Sequence, residues 1–378
     1  MPKFVSLQQM PRCVVALVPA HNEAAGIEKT ILSLLNQTYS LAQIVVICDN
    51  CIDNTQELVE RLMLRYPTRI TCTRTINNKA KKAGALNWGY QMLSNQVDFV
   101  VQMDADTILL PNTVEIGIRE FERPPLGITK QQLGGVCSRF LVAKPIGKMG
   151  WLGQLMWRMQ NIEYSMADSD HVGTIKENAR VLSGTCSIYQ KKVLDKIAHL
   201  RPLIKGHPQI WSESSIVEDF ALTLDTRMLG YSTRVSWGML NRTNVPESFH
   251  EYWRQRERWY SGTIDELRKH GIRSYTLADT FTHFFGLLMT VTRSVFYGLL
   301  IWLLFNHISV ELTPLTYIIP FLVYFYNAYR CRYLRVNRHW IQYVMVFSLI
   351  PLELYALLRE VLMLRAYYLS FFKRKKAW

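Results

Sequence analysis

The stretch Phe99-Val100-Val101-Gln102-Met103-Asp104-Ala105-Asp106 joins a short apolar run to two carboxylates one residue apart. A bounded run of this length, rich in β-branched residues, is typical of a buried strand. Side chains alternate along extended backbone, so Asp104 and Asp106 point to the same side of the chain just beyond the strand. Such a pair presents oxygens to a hard divalent cation and leaves coordination positions open for a diphosphate. A solvated turn is the alternative, because the D-x-D spacing is common by chance.

Outward from this strand, short β-branched runs alternate with segments of helical periodicity as far as about residue 140. This alternation is typical of α/β proteins built on a mainly parallel sheet. The predicted strands are Cys13–Val18, Ile44–Cys48, Ile70–Arg74, Phe99–Met103 and Gly135–Phe140. The predicted helices are Ala24–Leu35, Asn54–Arg65, Ala80–Leu93 and Thr113–Phe121. A capping-box-like Asp53 precedes the second helix.

Ligands bind beyond the carboxyl ends of the strands in an open sheet of this kind. Polar residues follow three of the predicted strands: Asn22 and Glu23, then Asp49, then Asp104 and Asp106. No G-x-G-x-x-G motif follows a strand, so a dinucleotide-binding domain is not expected. The residues at this edge are therefore the first candidates for a binding site.

Beyond residue 140 the pattern is less regular. It predicts helices at Trp151–Met166, Ile216–Leu229 and Ser248–Arg268, strands at Val181–Tyr189 and Arg234–Trp237, and a loop at Asp168–Asn178. The helix from Ser248 is rich in both aromatic and charged residues. Gln255, Arg258 and Trp259 recur on it at i, i+3 and i+4, which gathers them on one stripe.

Three apolar segments occupy the last hundred residues: Phe284–Phe305, Leu315–Ala328 and Ile341–Leu364. The first is long enough to span a hydrocarbon core of about 30 Å, and Arg293 near its centre calls for a polar cavity or a partner. The second is short and contains Pro320. The third carries Glu353, Arg359 and Glu360, which favours a re-entrant or interfacial element for its charged half.

The formal net charge of +14 could indicate nucleic-acid binding, but no nucleic-acid motif accompanies it. The basic clusters flank the apolar segments, at Arg330–Arg338 and Lys373–Lys376, and favour anchoring to anionic lipid. Seven scattered cysteines argue against a disulfide framework and fit a reducing cytosol. The Cys48–Cys51 spacing lacks the second pair that a zinc site needs. The N-terminus shows no signal-peptide pattern.

A series of motifs, in order along the chain, resembles the processive family 2 glycosyltransferases, which include cellulose, chitin, hyaluronan and poly-N-acetylglucosamine synthases. The motifs are Val18-Pro-Ala-His-Asn-Glu23, Asp49, Lys82-Ala-Gly-Ala-Leu-Asn87, Asp104-Ala-Asp106, Val217-Glu-Asp219 and Gln255-Arg-Glu-Arg-Trp259. Each motif alone is weak, but their shared order over about residues 13 to 260 is specific. The resemblance implies a GT-A type catalytic domain that binds a nucleotide-sugar, followed by amphipathic and transmembrane helices.

The resemblance also implies roles for single residues. Glu23 and Asp49 match positions that hold the nucleoside, Asp49 on the uracil base, and the adjacent Asn22 is grouped with them. Lys82 matches a position near the base and phosphates. Asp104 resembles a nucleotide contact and Asp106 the principal ligand of Mg²⁺ or Mn²⁺. Asp219 matches the general base, although Val217 stands where the family usually has Thr. A helix-capping acid is the alternative for Asp219.

The stripe on the helix from Ser248 resembles the family's acceptor and diphosphate signature. Arg258 would contact the diphosphate, while Gln255 and Trp259 would bind the acceptor sugar. An amphipathic helix at a membrane surface would also carry Trp and Arg, so that interpretation stays open. Ser183-Gly184-Thr185-Cys186 resembles the segment that lines the acceptor entrance, which makes Gly184 and Cys186 acceptor-binding candidates.

Together these expectations describe an integral protein of the plasma or inner membrane. They place a cytosolic catalytic domain at residues 1–247, an interface helix region at 248–280 and a membrane region of two or three helices at 281–378. The expected activity is inverting, metal-dependent transfer from a UDP-sugar, UDP-GlcNAc or UDP-glucose, to a growing β-linked polysaccharide. The expected partners are the donor, a carbohydrate acceptor and the bilayer.

Three alternatives remain. A non-processive transferase would add a single sugar to a lipid or glycan. A sugar nucleotidyltransferase would release diphosphate from a nucleoside triphosphate. A non-catalytic carbohydrate-binding membrane protein would not bind UDP.

Overall fold

A computed structural model of the chain describes residues 12–124, 129, 132–145, 149–171, 179–204, 206–307, 339–348 and 350–372, with scattered residues between 318 and 329. These form two compact units. The first comprises the chain up to Arg139, Leu182–Ser214 and Leu229–Asn241, and the second comprises Phe140–Val181, Ser215–Met228 and the chain from Arg242.

Eight strands are present in the described residues: β1 Val14–Ala20, β2 Gln43–Cys48, β3 Ile70–Arg74, β4 Phe99–Met103, β5 Ile108–Leu109, β6 Leu133–Val142, β7 Cys186–Gln190 and β8 Ser232–Thr243. The helices are α1 Ile27–Leu35, α2 Thr55–Arg65, α3 Lys81–Tyr90, α4 Thr113–Glu122, α5 Trp151–His171, α6 Lys191–Leu200, α7 Glu218–Met228, α8 Phe249–His270, α9 Leu277–Phe305, α10 Trp340–Phe347 and α11 Ile350–Phe372.

The eight strands form one sheet in the order β3-β2-β1-β4-β7-β6-β8-β5. The pairs β3/β2, β2/β1 and β1/β4 are parallel, whereas β7 lies antiparallel to both β4 and β6. The expectation of a mainly parallel sheet is therefore correct only for the β3-β2-β1-β4 half, and the sheet as a whole is mixed. A buried apolar run looks alike in parallel and antiparallel strands, so its periodicity does not reveal strand direction.

Helices cover both faces of the parallel half, which explains why all seven residues of β1 are buried. Val14, Ala16, Val18 and Ala20 share a core cluster with Ile27, Ile31 and Leu34 of α1. On the other face α3 comes so close that a Cβ on Gly89 would lie 2.8 Å from the Ile47 side chain. Two-sided burial holds the strand ends, and the polar residues beyond them, in a defined position.

The second unit is built around α8. Its first turn has a reciprocal capping box between Ser248 and Glu251. A buried cluster joins α8 to α5, α10 and α11, with members Met156, Met159, Ile162, Tyr252, Met345, Val346, Tyr355 and Leu362. Within the described residues, α9 is the one helix long and apolar enough to cross a bilayer, while α10 and α11 meet that description only together, as a pair bent by 75°.

Several predicted boundaries differ from those observed. Ile341–Leu364 is not one helix: α10 ends at Phe347 and α11 begins at Ile350. Pro351 lies in the first turn of α11, where proline is tolerated, whereas in a continuous helix it would clash with the preceding turn. The strand predicted at Arg234–Trp237 extends to Ser232–Thr243, through Gly238. Asp53 does not cap α2 as predicted: Asn54 is the N-cap residue, and Asp53 accepts bonds from Thr55.

Other predictions fall wholly or partly on parts of the chain that the structure does not describe. Helix α5 continues through His171, so only residues 172–178 of the predicted loop stay outside the described part. Most of Leu315–Ala328 and both basic clusters also lie outside the described residues.

Candidate active site

Asp104 and Asp106 follow β4, and Lys82 at the start of α3 faces them. The Lys82 Nζ lies 2.5 Å from Asp104 Oδ1. Burial, and then the neighbouring Asp104 carboxylate, raise the pKa of Asp106 to about 6, although Lys82 acts in the opposite direction. The end of β4 is thus a site where negative charge is concentrated beside one ammonium group.

Glu23, after β1, belongs to the same group of carboxylates. Burial raises its pKa to about 7, and the nearby Asp106, Asp104 and Asp53 carboxylates add to the effect. Its backbone N–H donates to Thr55 Oγ1 at 2.7 Å, which attaches the end of β1 to the start of α2. Repulsion between Glu23 and these neighbouring carboxylates would be relieved by a bound cation, so the site favours cation binding.

Asp104 and Asp106 could hold a divalent cation whose remaining ligands come from the phosphates of a substrate. The described residues contain no cluster of three or more His, Cys, Asp or Glu side chains arranged as metal ligands. Mg²⁺ commonly binds through one or two carboxylates and completes its shell with water and phosphate oxygens. Asp104 and Asp106, crowded and short of compensating charge, meet that requirement.

Asp49, at the end of β2, is buried and held by a set of donors. Its Oδ1 accepts hydrogen bonds from Thr75 Oγ1 at 2.6 Å, from Asn78 Nδ2 at 2.8 Å and from Asn50 Nδ2 at 3.3 Å. Thr75 and Asn78 were not predicted as site residues. The signal that could have found them was their position just after β3, at the same edge of the sheet as Asp49.

Backbone strain marks the same edge. Asn22 and Asn50 adopt left-handed φ values of 57° and 50°, a conformation that asparagine tolerates better than most residues. The Asn22 side chain accepts from the Ile52 N–H at 2.9 Å, and the His21 ring lies 2.6 Å from the Asp49 carbonyl oxygen. The loops after β1 and β2 therefore hold each other in place.

Gly184 lies against the charged pair. A Cβ at this position would sit 2.3 Å from Lys82 Nζ and 3.3 Å from Asp104 Oδ1. Cys186, two residues on, is fully buried in β7 among core side chains, and burial raises the pKa of its thiol to about 12. Contact between that thiol and an acceptor would require the core to open, whereas Gly184 borders the charged site directly.

In the second unit, Asp219 occupies the first turn of α7. One of its oxygens accepts a hydrogen bond from the Phe220 N–H at 2.8 Å, and the Ala221 N–H bonds the Val217 carbonyl at 3.1 Å. Asp219 therefore accepts a backbone hydrogen bond within the first turn of α7. This hydrogen bond uses Oδ1 and orients the Asp219 carboxylate at the N-terminal end of α7. It is compatible both with a structural role and with a role as a base.

The stripe on α8 approaches the segment just before Asp219. Arg258 Nη1 donates to the Ile216 carbonyl at 3.3 Å. The buried Oε1 of Gln255 has no hydrogen-bond partner in the described part of the chain. Trp259 packs against the cluster formed by Val217, Phe220 and Leu224.

A buried ion pair behind this stripe was not predicted. Arg256 Nη2 lies 2.7 Å from Glu163 Oε2, and its guanidinium lies 4.4 Å from the centre of the Trp259 ring. Burial alone would raise the Glu163 pKa, but the Arg256 and Arg359 guanidinium groups hold that pKa below its ordinary value. The sequence signal was Arg256 itself, which directly follows Gln255 and lies beside the polar stripe on α8.

The chain is similar in sequence to known proteins. Residues 15–198 match the profile of Glycosyl transferase family 2. A poly-beta-1,6-N-acetyl-D-glucosamine synthase of Staphylococcus epidermidis is 24% identical over 257 residues, covering 66% of this chain and 54% of that protein. The synthase of Staphylococcus aureus strain COL is 25% identical over 260 residues, covering 67% and 55%. The chain thus spans about half the length of these curated relatives.

A solved structure shows the same fold. The mannosyltransferase PcManGT of Pyrobaculum calidifontis, in complex with GDP-Man and Mn²⁺, superposes with a TM-score of 0.55 at 14% identity and covers 97% of this chain and 89% of that one. The fold is GT-A-like, with a mixed sheet. Residues 15–198 resemble a Glycosyl transferase family 2 domain, and together with the similarity to the two synthases this match indicates that the chain is a glycosyltransferase.

Proposed function

We propose that the protein transfers a sugar from a UDP-sugar to a growing β-linked polysaccharide at a membrane, with inversion and with repeated additions to one chain. The observation that carries this proposal is the group of crowded carboxylates beside Lys82 at the end of β4, together with the hydrogen-bonded Asp49 that follows β2 at the same edge of the sheet. The matched relatives are synthases of poly-beta-1,6-N-acetyl-D-glucosamine, which favours UDP-GlcNAc over UDP-glucose as the donor.

On the donor side, Asp49 would accept from the uracil base, with Glu23 and Asn22 beside the nucleoside. Lys82 would attract the diphosphate as well as Asp104. A bound Mg²⁺ or Mn²⁺, held by Asp104 and Asp106, would supply positive charge against the diphosphate oxygens. Arg258 would add a guanidinium, whose fork geometry suits phosphate oxygens.

On the acceptor side, Asp219 would take the proton of the attacking hydroxyl. The hydroxyl oxygen forms a bond to the anomeric carbon while the bond from that carbon to the diphosphate oxygen breaks, and UDP leaves. Direct attack inverts the anomeric centre, so an α-linked donor gives a β-linked product. Trp259 would provide a face for a sugar ring, and the unpartnered Gln255 oxygen an acceptor for a hydroxyl proton.

The membrane assignment rests on α9. Its side chains are mostly exposed over an apolar length sufficient to span a bilayer. Arg293 at its centre pairs with Glu360 at 3.1 Å and Glu353 at 3.4 Å on α11, the polar partners that such a residue needs in a bilayer. We place the catalytic domain in the cytosol, where UDP-sugars would be available.

The general-base assignment is tested with Asp219→Asn. This variant should bind UDP in the presence of Mn²⁺ as the wild type does, measured by calorimetry, yet lose at least about 100-fold in kcat for UDP release, in line with the contribution of a general base. Glu247→Gln, which changes a carboxylate in the loop before α8, serves as a control and should keep its activity. Full turnover by Asp219→Asn would remove the assignment.

A further inference from the structure

Gly262 lies on α8, three residues beyond Trp259, at a point of very close approach to the segment before Asp219. A Cβ on Gly262 would meet Val217 Cγ1 at 2.7 Å, Val217 Cγ2 at 2.8 Å and Ile216 Cγ1 at 3.0 Å. Val217 and Ile216 are β-branched and have restricted χ1 rotamers, so neither can easily rotate away from an added methyl group. Only glycine fits between α8 and this segment without displacing it.

The segment is held on its other sides as well. Arg258 Nη1 donates to the Ile216 carbonyl at 3.3 Å. The backbone of the segment at Ile216 is thereby attached to α8, one turn before Gly262. Val217 is 5% exposed and is clustered with Phe220 and Leu224, against which Trp259 also packs. A push on Val217 therefore has no empty space to enter.

Displacement of Val217 is transmitted to Asp219 because the two are joined through the first turn of α7. The Val217 carbonyl accepts the Ala221 N–H at 3.1 Å, and Asp219 bonds the neighbouring Phe220 N–H at 2.8 Å. A shift of Val217 would tilt this turn and with it the carboxylate. Misplacement of a reacting group by about 1 Å can lower a rate by about 100-fold.

We propose that Gly262 is a positioning residue for the reaction: with Arg258 it seats Val217 so that the Asp219 carboxylate is held relative to the Trp259 ring. The inference rests on the proposed role of Asp219 as general base. It also gives a reason for the Val217 side chain, which fills the gap that Gly262 leaves. The carboxylates proposed to bind the donor follow β1, β2 and β4, and Arg258 keeps its place on α8 when Val217 shifts. A change at Gly262 should therefore act on kcat more than on donor affinity.

The test is a rescue experiment in detergent-solubilised full-length protein. Gly262→Ala should lower kcat for UDP release at least tenfold while the KM for UDP-GlcNAc changes less than twofold. Adding Val217→Ala, which removes the two methyl groups that the new Cβ would strike, should restore kcat to within about threefold of the Val217→Ala single variant. Gly298→Ala is the matched control, since a Cβ there meets nothing within 4 Å, and should behave as wild type.

Unchanged kcat in Gly262→Ala would overturn the proposal. So would a loss that Val217→Ala does not relieve, or a parallel rise in the donor KM, because either would indicate general damage to the fold. If Gly262→Ala does not fold, the double variant decides: it must fold and turn over. The Asp219→Asn variant separates failure of the general-base assignment from failure of the positioning role of Gly262. Full turnover by that variant removes the general base, whereas an inactive Asp219→Asn with a normal Gly262→Ala removes only the positioning role.

Discussion

Lys82 and Asp104 meet at 2.5 Å in a space that Gly184 leaves open. The resemblance to family 2 enzymes implies a role for Gly184 at the acceptor entrance, and the structure shows it beside Lys82 and Asp104, for which we propose a role in donor binding. A glycine can be required because other atoms occupy the space where a side chain would lie, and here those atoms belong to Lys82. The sequence made Gly184 a candidate site residue, but it did not predict that Gly184 lies against Lys82.

Gly184→Ala should therefore impair donor binding. The added Cβ would lie 2.3 Å from Lys82 Nζ, and the lysine must move away from Asp104 to avoid it. We expect UDP affinity in the presence of Mn²⁺ to fall about tenfold, which corresponds to about 1.4 kcal/mol. Calorimetry with UDP measures this. Gly26→Ala is the control, because nothing lies within 4 Å of its added Cβ, and equal UDP affinity in both variants would refute the expectation.

The raised pKa values of Glu23, about 7, and Asp106, about 6, predict a pH dependence. A carboxyl whose folded-state pKa is raised stabilises the fold at acid pH, and that contribution is lost as pH rises through the folded-state pKa. In EDTA the Tm of the wild type should fall between about pH 4 and pH 7 more steeply than that of Asp106→Asn. A divalent cation favours the ionised carboxylates, so Mn²⁺ should reduce the fall.

Differential scanning fluorimetry over this pH range, with and without Mn²⁺, makes the comparison. Since other groups also titrate, the difference in slope between wild type and Asp106→Asn is the quantity to examine. A steeper fall in Asp106→Asn, or a Tm that Mn²⁺ leaves unchanged, would contradict the expectation.

Elements of the parallel half were predictable to the residue in two cases. Phe99–Met103 is a buried, mainly apolar run, and Ile70–Arg74 is rich in β-branched residues. The antiparallel placement of β7 was not predictable, since direction leaves no periodic signal. The break before α11 was missed although Pro351 marks it. Contacts between distant elements, such as Glu163 with Arg256, lie beyond any pattern within one helix.

The ion pair of Glu163 and Arg256 should contribute more to thermal stability than the exposed ion pairs of this protein do. Arg256 is buried and the Glu163 side chain is only 14% exposed, so loss of Arg256 leaves Glu163 with the more distant Arg359 as its cationic partner. Breaking a buried pair in this way destabilises a protein by about 3 kcal/mol or more. Arg256→Met should lower the Tm clearly, and Arg256→Met with Glu163→Gln should recover part of the loss. Thermal unfolding in detergent measures both.

The exposed pair of Arg61 and Glu57 on α2 provides the control. Exposed pairs contribute little, so Arg61→Ala should leave the Tm nearly unchanged. If Arg256→Met were no more harmful than Arg61→Ala, or if the double variant were the least stable of the set, the buried pair would not have the importance assigned to it.

The molecule as a whole combines a domain that matches Glycosyl transferase family 2 with a helix, α9, that is long and apolar enough to cross a bilayer. The family, the enzyme class and the GT-A-like fold agree with what the order of motifs implied. The sugar, the linkage and the number of additions depend on the shape of the donor and acceptor sites, which no short motif encodes. They remain part of the proposal, together with residence in the membrane.

Product analysis tests the central proposal most directly. Purified protein in lipid, with Mn²⁺ and a panel of labelled UDP-sugars, should release UDP and form a mass ladder whose spacing is one N-acetylhexosamine, and Asp106→Asn should abolish both. A single addition would replace polymer synthesis with transfer to one acceptor. Diphosphate release from a nucleoside triphosphate, with no UDP released from any UDP-sugar, would contradict the proposed reaction.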